Sequence, residues 1–98
     1  MIQLTDHARR RCQQRAIPRQ ALEAALAWGQ MIPLEDGRDA FYLGQKATQQ
    51  ARQFAPEVIE HLHVLVILSP DQWVVTAIRT PHLRKISKKG KRRRNHAR

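Results

Sequence analysis

Two apolar runs, His61 to Leu68 and Trp73 to Thr80, flank the tetrapeptide Ser69-Pro70-Asp71-Gln72. β-Branched residues dominate both runs and Pro70 suits the second position of a turn, so this segment specifies an antiparallel hairpin. If Leu68 faces Trp73, antiparallel counting pairs 66 with 75, 64 with 77 and 62 with 79. One face then carries Leu62, Val64, Val66 and Leu68 against Trp73, Val75 and Ala77, a continuous apolar surface suited to a core. The other face carries Ile67, Leu65, His63 and His61 against Val74, Thr76, Ile78 and Thr80. That face is apolar near the turn and polar at the far end, where Arg79 and His82 leave the sheet.

Upstream, Thr5 or Asp6 is placed to cap a helix running to about Arg15. Ile17-Pro18 ends it, because proline disfavours helical geometry in the residue before it. Pro18 then suits the first turn of a second helix reaching Trp28, with Ala21, Leu22, Ala25 and Leu26 as its apolar face and Gly29 as its stop. Two strands are expected around Met31 to Glu35 and Ala40 to Gly44, joined through Asp36-Gly37. Residues 46–54 have helical composition, and Pro56 begins or interrupts the next element. Trp28 and Trp73 read as packing residues.

Charge divides the chain after Leu83. The 98 residues carry a formal charge of +10, and nine of the eighteen Lys and Arg lie between Arg84 and Arg98, where there is no acid. Residues 84–98 have little apolar content to offset the entropy of ordering, so a disordered basic tail is expected after a folded unit at residues 1–83. Lys88, Lys89, Lys91, Arg92, Arg93 and Arg94 form its densest part, which suits RNA or the ribosome as a polyanionic partner. The single cysteine, Cys12, allows no intrachain disulfide and agrees with a cytoplasmic setting. The first residues are polar and charged rather than a secretory leader, and no apolar run approaches membrane-spanning length, so no membrane partner is expected. Zinc-finger cysteine pairs, phosphate-binding glycine loops and His-Glu-x-x-His sites are all absent from the sequence.

The first helix carries the chemistry. At about 100° per residue, His7, Arg11 and Arg15 fall within roughly 80° of one another, beside an apolar stripe of Ala8, Cys12 and Ala16. Arg9, Arg10, Gln13 and Gln14 point the other way. A titratable imidazole aligned with two permanent cations at the rim of a buried face suits an anionic partner such as a phosphate. Plainer roles exist for the same side chains: Arg15 could pair with Glu23 or Asp36, Arg79 could be a charge that protects a sheet edge, and Thr76 is a favoured strand residue. His61 and His63, two apart on one strand face, could both reach a zinc ion with His7 or His82, but no fixed third ligand is evident and no metal is assigned.

The segment His7-Ala8-x-x-Arg11-x-x-x-Arg15-x-Ile17, the strand Phe41-Tyr42-Leu43-Gly44 and the strand Val74-Val75-Thr76-Ala77-Ile78-Arg79 together resemble a bacterial domain-of-unknown-function family, number forty-two fifty-eight. The likeness covers roughly residues 4–80. It implies the RelE-like architecture shared with barnase and colicin-type ribonucleases: an α+β fold with two N-terminal helices packed on a small curved antiparallel sheet. It also carries over His7, Arg11, Arg15, Thr76 and Arg79 as site positions. Three departures from the family's pattern fall at turns: Pro18 where a capping serine is frequent, Ala16 where glycine is usual, and Asp71-Gln72 where Asp-Gly is usual.

On this reading the chain is expected to be a metal-independent endoribonuclease of toxin type, without a cofactor. His7 would act as base or acid on a ribose 2′-hydroxyl, and Arg11, Arg15 and Arg79 would hold the phosphate. His82, His63 or His61 would supply the second proton-transfer group, Thr76 or Thr80 would orient substrate, and a 2′,3′-cyclic phosphate would result. Two alternatives stand beside it. One is a non-catalytic RNA- or ribosome-binding module, and the other is a toxin-like partner held by an antitoxin protein.

Overall fold

The computed structural model describes residues 2–81. His82, the expected boundary at residue 83 and the basic segment with Lys88, Lys89, Lys91, Arg92, Arg93 and Arg94 lie outside the described residues. Within them the order is β1 (Gln3–Leu4), α1 (Asp6–Gln14), α2 (Arg19–Trp28), β2 (Gln30–Pro33), β3 (Asp39–Leu43), α3 (Gln45–Ala51), a 3-10 helix (Pro56–His61), β4 (Val64–Leu68) and β5 (Trp73–Arg79). The result is a small α+β domain.

Its five-stranded sheet has the spatial order β1-β5-β4-β3-β2. All pairings are antiparallel except β1 with β5, which is parallel. The sheet is therefore mixed rather than antiparallel throughout. Two residues of strand are too few to leave an alternating pattern in the sequence, which is why β1 went unanticipated.

Local chemistry accounts for the element boundaries. Thr5 Oγ1 accepts the Ala8 N–H at 3.1 Å and caps α1. Ala16 takes a left-handed φ of 53°, and the Ile17 N–H closes back on the Cys12 carbonyl at 2.9 Å. Ala16 is thus an exposed chain-turning residue, not part of the apolar stripe. Pro18 stands just before α2 as its cap rather than within its first turn. In the β2–β3 turn, Asp36 accepts bonds from the Arg38 N–H at 3.2 Å and from Arg38 Nε at 2.6 Å. These bonds, the backbone one foremost, hold the Asp36 carboxyl below its ordinary pKa.

The β4–β5 hairpin forms, with a different register from the one counted along the sequence. Gln72 is left-handed at φ 71°, Ser69 O accepts the Gln72 N–H at 2.9 Å, and the Ser69 N–H donates to the Trp73 carbonyl at 2.8 Å. The loop is therefore three residues long, a tight turn followed by a left-handed residue. A bulge then shifts the ladder: Leu68 pairs with Val74, whereas Ile67 pairs with Thr76 and Val66 with Ala77. Val74 joins the core and Trp73, at 40% exposure, does not. At the other end the first strand starts later than expected. His61 belongs to the 3-10 helix and His63 is left-handed at φ 73°, so the two histidines do not share a strand face.

All the helices cover one face of the sheet. Ala8 and Cys12 of α1, Ala21, Leu22 and Ala25 of α2, and Val58 pack with Val64, Val66, Val74 and Ala77. The opposite face carries a smaller cluster of Ala40, Tyr42 and Leu65, bordered by Ile32, Leu34, Ile67 and Ile78. β4 is buried from both sides.

Candidate nucleic-acid interface

The way α1 lies along β5 arranges the charged residues. The Thr80 N–H donates to the His63 carbonyl at 2.8 Å, which marks that pair as hydrogen-bonded across β4–β5. Alternation assigns the same type to the pairs 65–78 and 67–76, so the backbone groups of Ala77 and Arg79 point away from β4. β1 covers the outer edge of β5 only at Trp73 and Val74. Beyond that, α1 takes over. Arg15 Nη1 donates to the Ala77 carbonyl at 2.9 Å, satisfying an edge acceptor. In return Arg79 Nη2 reaches the Ala16 carbonyl at 3.3 Å, just past the end of α1. Arg15 and Arg79 therefore meet at the C-terminal end of α1, each anchored to the other's element.

His7 and Arg11 occupy the rest of the same helix side. Arg11 Nε lies 3.5 Å from His7 Nε2, and Arg11 Nη1 lies 3.4 Å from Gln14 Oε1. Eight residues at 1.5 Å rise separate His7 from Arg15 by about 12 Å along the helix. The imidazole and the Arg79 guanidinium consequently stand at opposite ends of α1, and no single phosphate spans them. Helical projection places Arg10 about 60° from His7 but about 100° from Arg11 and about 140° from Arg15, so it faces solvent beside the His7 end of the strip. Sequence reasoning set Arg10 aside. The available signal was local density, with five arginines and one acid between Asp6 and Arg19.

Ion pairing is sparse among the described cations. Arg19 lies 3.9 Å from Glu23, and Arg38 pairs with Asp36. Arg9, Arg10, Arg11, Arg15 and Arg79 have no carboxylate partner among the described residues. Arg9 stands on the other flank of α1, where it lines a cleft of about 490 Å³ with Cys12, Gln13, Ile17, Arg19 and Leu22. Burial pushes the Cys12 thiol pKa up, an effect that the Arg15 charge opposes.

The remaining site positions are elsewhere. Thr76 pairs with Ile67 on the sheet face away from the helices, as Ile78 does with Leu65. Thr80 accepts at its carbonyl from Tyr42 Oη at 3.0 Å. The His63 ring stacks on Tyr42 with centroids 6.4 Å apart. Thr76, Thr80 and His63 thus belong to the open face, whereas His7, Arg11, Arg15 and Arg79 belong to the helix side. His61 is in neither group, being buried between the 3-10 helix and α2. The backbone geometry explains the split: adjacent strand residues point to opposite faces, so Arg79 and Thr76, three apart, are divided by the sheet.

Among the described residues no helix is long and apolar enough to cross a membrane. No family model, curated protein or solved structure matches this chain.

Proposed function

We propose that the protein binds RNA through the phosphate backbone, using the outer side of α1 as its docking face. The observation that carries this reading is the strip of Arg11, Arg15 and Arg79 with Arg10 beside it, none of them neutralised by a carboxylate among the described residues. Arginine offers five donors in a planar fork matched to phosphate oxygens. One donor of Arg15 and one of Arg79 are committed to backbone carbonyls, which leaves the others available while fixing the stems. A fixed stem loses less side-chain entropy on binding than a free one. The basic segment after Leu83 would add affinity without sequence preference, and the ribonuclease-type resemblance favours RNA over other polyanions.

The test is anisotropy of a short labelled single-stranded RNA over a range of salt. Arg10→Ala and Arg11→Ala are expected to weaken binding and to lower the salt slope by about 0.7 for each phosphate contact removed. Thr76→Ala, on the far side of the sheet, leaves both unchanged. Equal affinity and slope in the arginine variants would end the proposal.

The catalytic reading keeps one observation in its favour. His7 Nε2 lies 3.5 Å from Arg11 Nε, which sets an imidazole beside a phosphate-binding type of cation. Among the described residues, however, His61 and His63 are both remote from this strip, and no second proton-transfer group joins His7. A toxin-type endoribonuclease therefore depends on a group such as His82. Digestion of RNA in chelator, with 2′,3′-cyclic phosphate ends that disappear in His7→Ala, is the outcome that would restore it.

A further inference from the structure

A second feature lies across the molecule from the arginine strip and is opposite to it in charge. A groove of about 280 Å³ runs between α2 and the 3-10 helix. Ala24, Ala27, Trp28 and Val58 give it an apolar lining. Trp28 is 40% exposed and stacks in parallel on Phe54, with centroids 5.9 Å apart. Carboxylates line the rim. Glu23 enters from α2, already sharing Arg19 at 3.9 Å, and Glu57 enters from the 3-10 helix. In a 3-10 helix residues three apart eclipse one another, so Glu60 stands directly in line with Glu57.

His61 adds a hydrogen-bonding ring to the groove. It is only 9% exposed, it lines the groove, and no hydrogen bond engages its ring among the described residues. The only side-chain polar atom sealed from solvent without a partner among them is Thr48 Oγ1. The His61 ring nitrogens are therefore not sealed from solvent. An imidazole with no protein hydrogen bond, an aromatic face and carboxylates beside an apolar slot match a long side chain that is aliphatic in its stem and cationic at its tip. That chemistry is lysine or arginine.

We propose that this groove holds the chain's own basic segment, residues 84–98, in the free protein. Nine Lys and Arg with no acid make that segment the electrostatic complement of the rim. Its starting point is also favourable. Thr80 is bonded to His63, two residues beyond His61, so the chain leaves β5 beside the C-terminal end of the 3-10 helix. From there eighteen further residues can extend as far as about 60 Å, well beyond what the groove requires. A tethered segment this short is presented at millimolar effective concentration, so weak individual contacts suffice. The docking does not depend on the RNA reading. If both hold, the segment is shared between groove and RNA, and polyanion binding releases it.

Paramagnetic relaxation in the full chain tests the idea. Cys12→Ala combined with Ser87→Cys places one spin label inside the basic segment without altering any of its charges. The expected result is selective loss of amide signal at Glu23, Trp28, Glu57, Glu60 and His61. The loss should reverse in about 1 M salt, where screening acts over roughly 3 Å. It should also disappear in Glu57→Lys/Glu60→Lys, whose fold is checked by its unchanged α1 and β5 resonances. Broadening that is uniform, centred elsewhere or insensitive to salt overturns the proposal. So does broadening that appears only between labelled and isotope-enriched molecules in a mixture, which would assign the groove to a second copy. Because no nucleic acid is present, failure here leaves the RNA reading standing, and failure of RNA binding leaves this one.

Discussion

Cys12 and Arg15 sit on adjoining sides of α1, and each is tuned by where the helix puts it. Cys12 is 7% exposed and packs with Ala8 and Leu22, so ionising it inside the fold means charging a site from which water is largely excluded. Its pKa is raised for that reason, against the pull of Arg15. The folded state then holds its proton at pH values where the unfolded thiol, near ~8.5, has released it. Stability is full below that value and falls as pH climbs through it, because the folded state binds more protons there. Urea midpoints taken between pH 7.5 and 9.5 should decline in the wild type and stay flatter in Cys12→Ala. Tyr42, also raised by burial, titrates only above its ordinary ~10 and leaves this window clear. Parallel slopes in the two proteins would remove Cys12 as the cause. Arg15 shows the converse economy: one guanidinium satisfies the Ala77 carbonyl and still presents free donors to solvent. A lysine at that position has no fixed fork with which to do both.

At the scale of elements, much was legible because it rested on strong local signals. The Thr5 cap, the break at Ile17-Pro18, the stop at Gly29 and the Asp36-Gly37 turn each belong to one residue or two, and the sequence displays them directly. Gly29 has an added reason: a Cβ there would overlap the Ala25 carbonyl oxygen and meet the Tyr42 backbone at 3.1 Å. The hairpin register was not legible, since it depended on Gln72 adopting a left-handed conformation and on an extra residue in β5, neither of which an apolar pattern encodes. Ala16 and Gln72 share a property here. Both are left-handed without being glycine. Such geometry strains a side chain bearing a Cβ by roughly 1–2 kcal/mol, part of which glycine returns through its looser unfolded state. Ala16→Gly and Gln72→Gly should therefore each raise stability by about 0.5 kcal/mol, measured by urea unfolding. A loss of similar size in either would mean that its turn is not strained.

The whole molecule divides its expected site because the sheet is one layer thick. Sequence positions close in number, such as Thr76 and Arg79, emerge on opposite sides of it, and a linear pattern cannot display that separation once the register is in doubt. The same arrangement makes β4 the mechanical centre. It lies third of five strands, and its Val64 and Val66 are buried under the helices while Leu65 is buried on the other face. By contrast β2 forms a bare edge. The Leu34 N–H bonds to the Arg38 carbonyl at 2.8 Å, and alternation then turns the backbones of Met31 and Pro33 outward. Pro33 has no N–H to offer a neighbour, which limits pairing with another sheet. Hydrogen exchange should grade accordingly, with the Leu65 and Val66 amides opening only by global unfolding and the outward Met31 amide exchanging without any opening. Leu65→Ala separates this from two independently stable layers. Loss of a fully buried leucine costs about 2–5 kcal/mol. If β4 joins both clusters into one cooperative unit, protection at Ala8 and Leu22, on the far side of the sheet from Leu65, falls by the same free energy as protection at Tyr42. A drop confined to Tyr42 and Ala40 would show that the helix side holds together without the face beneath it.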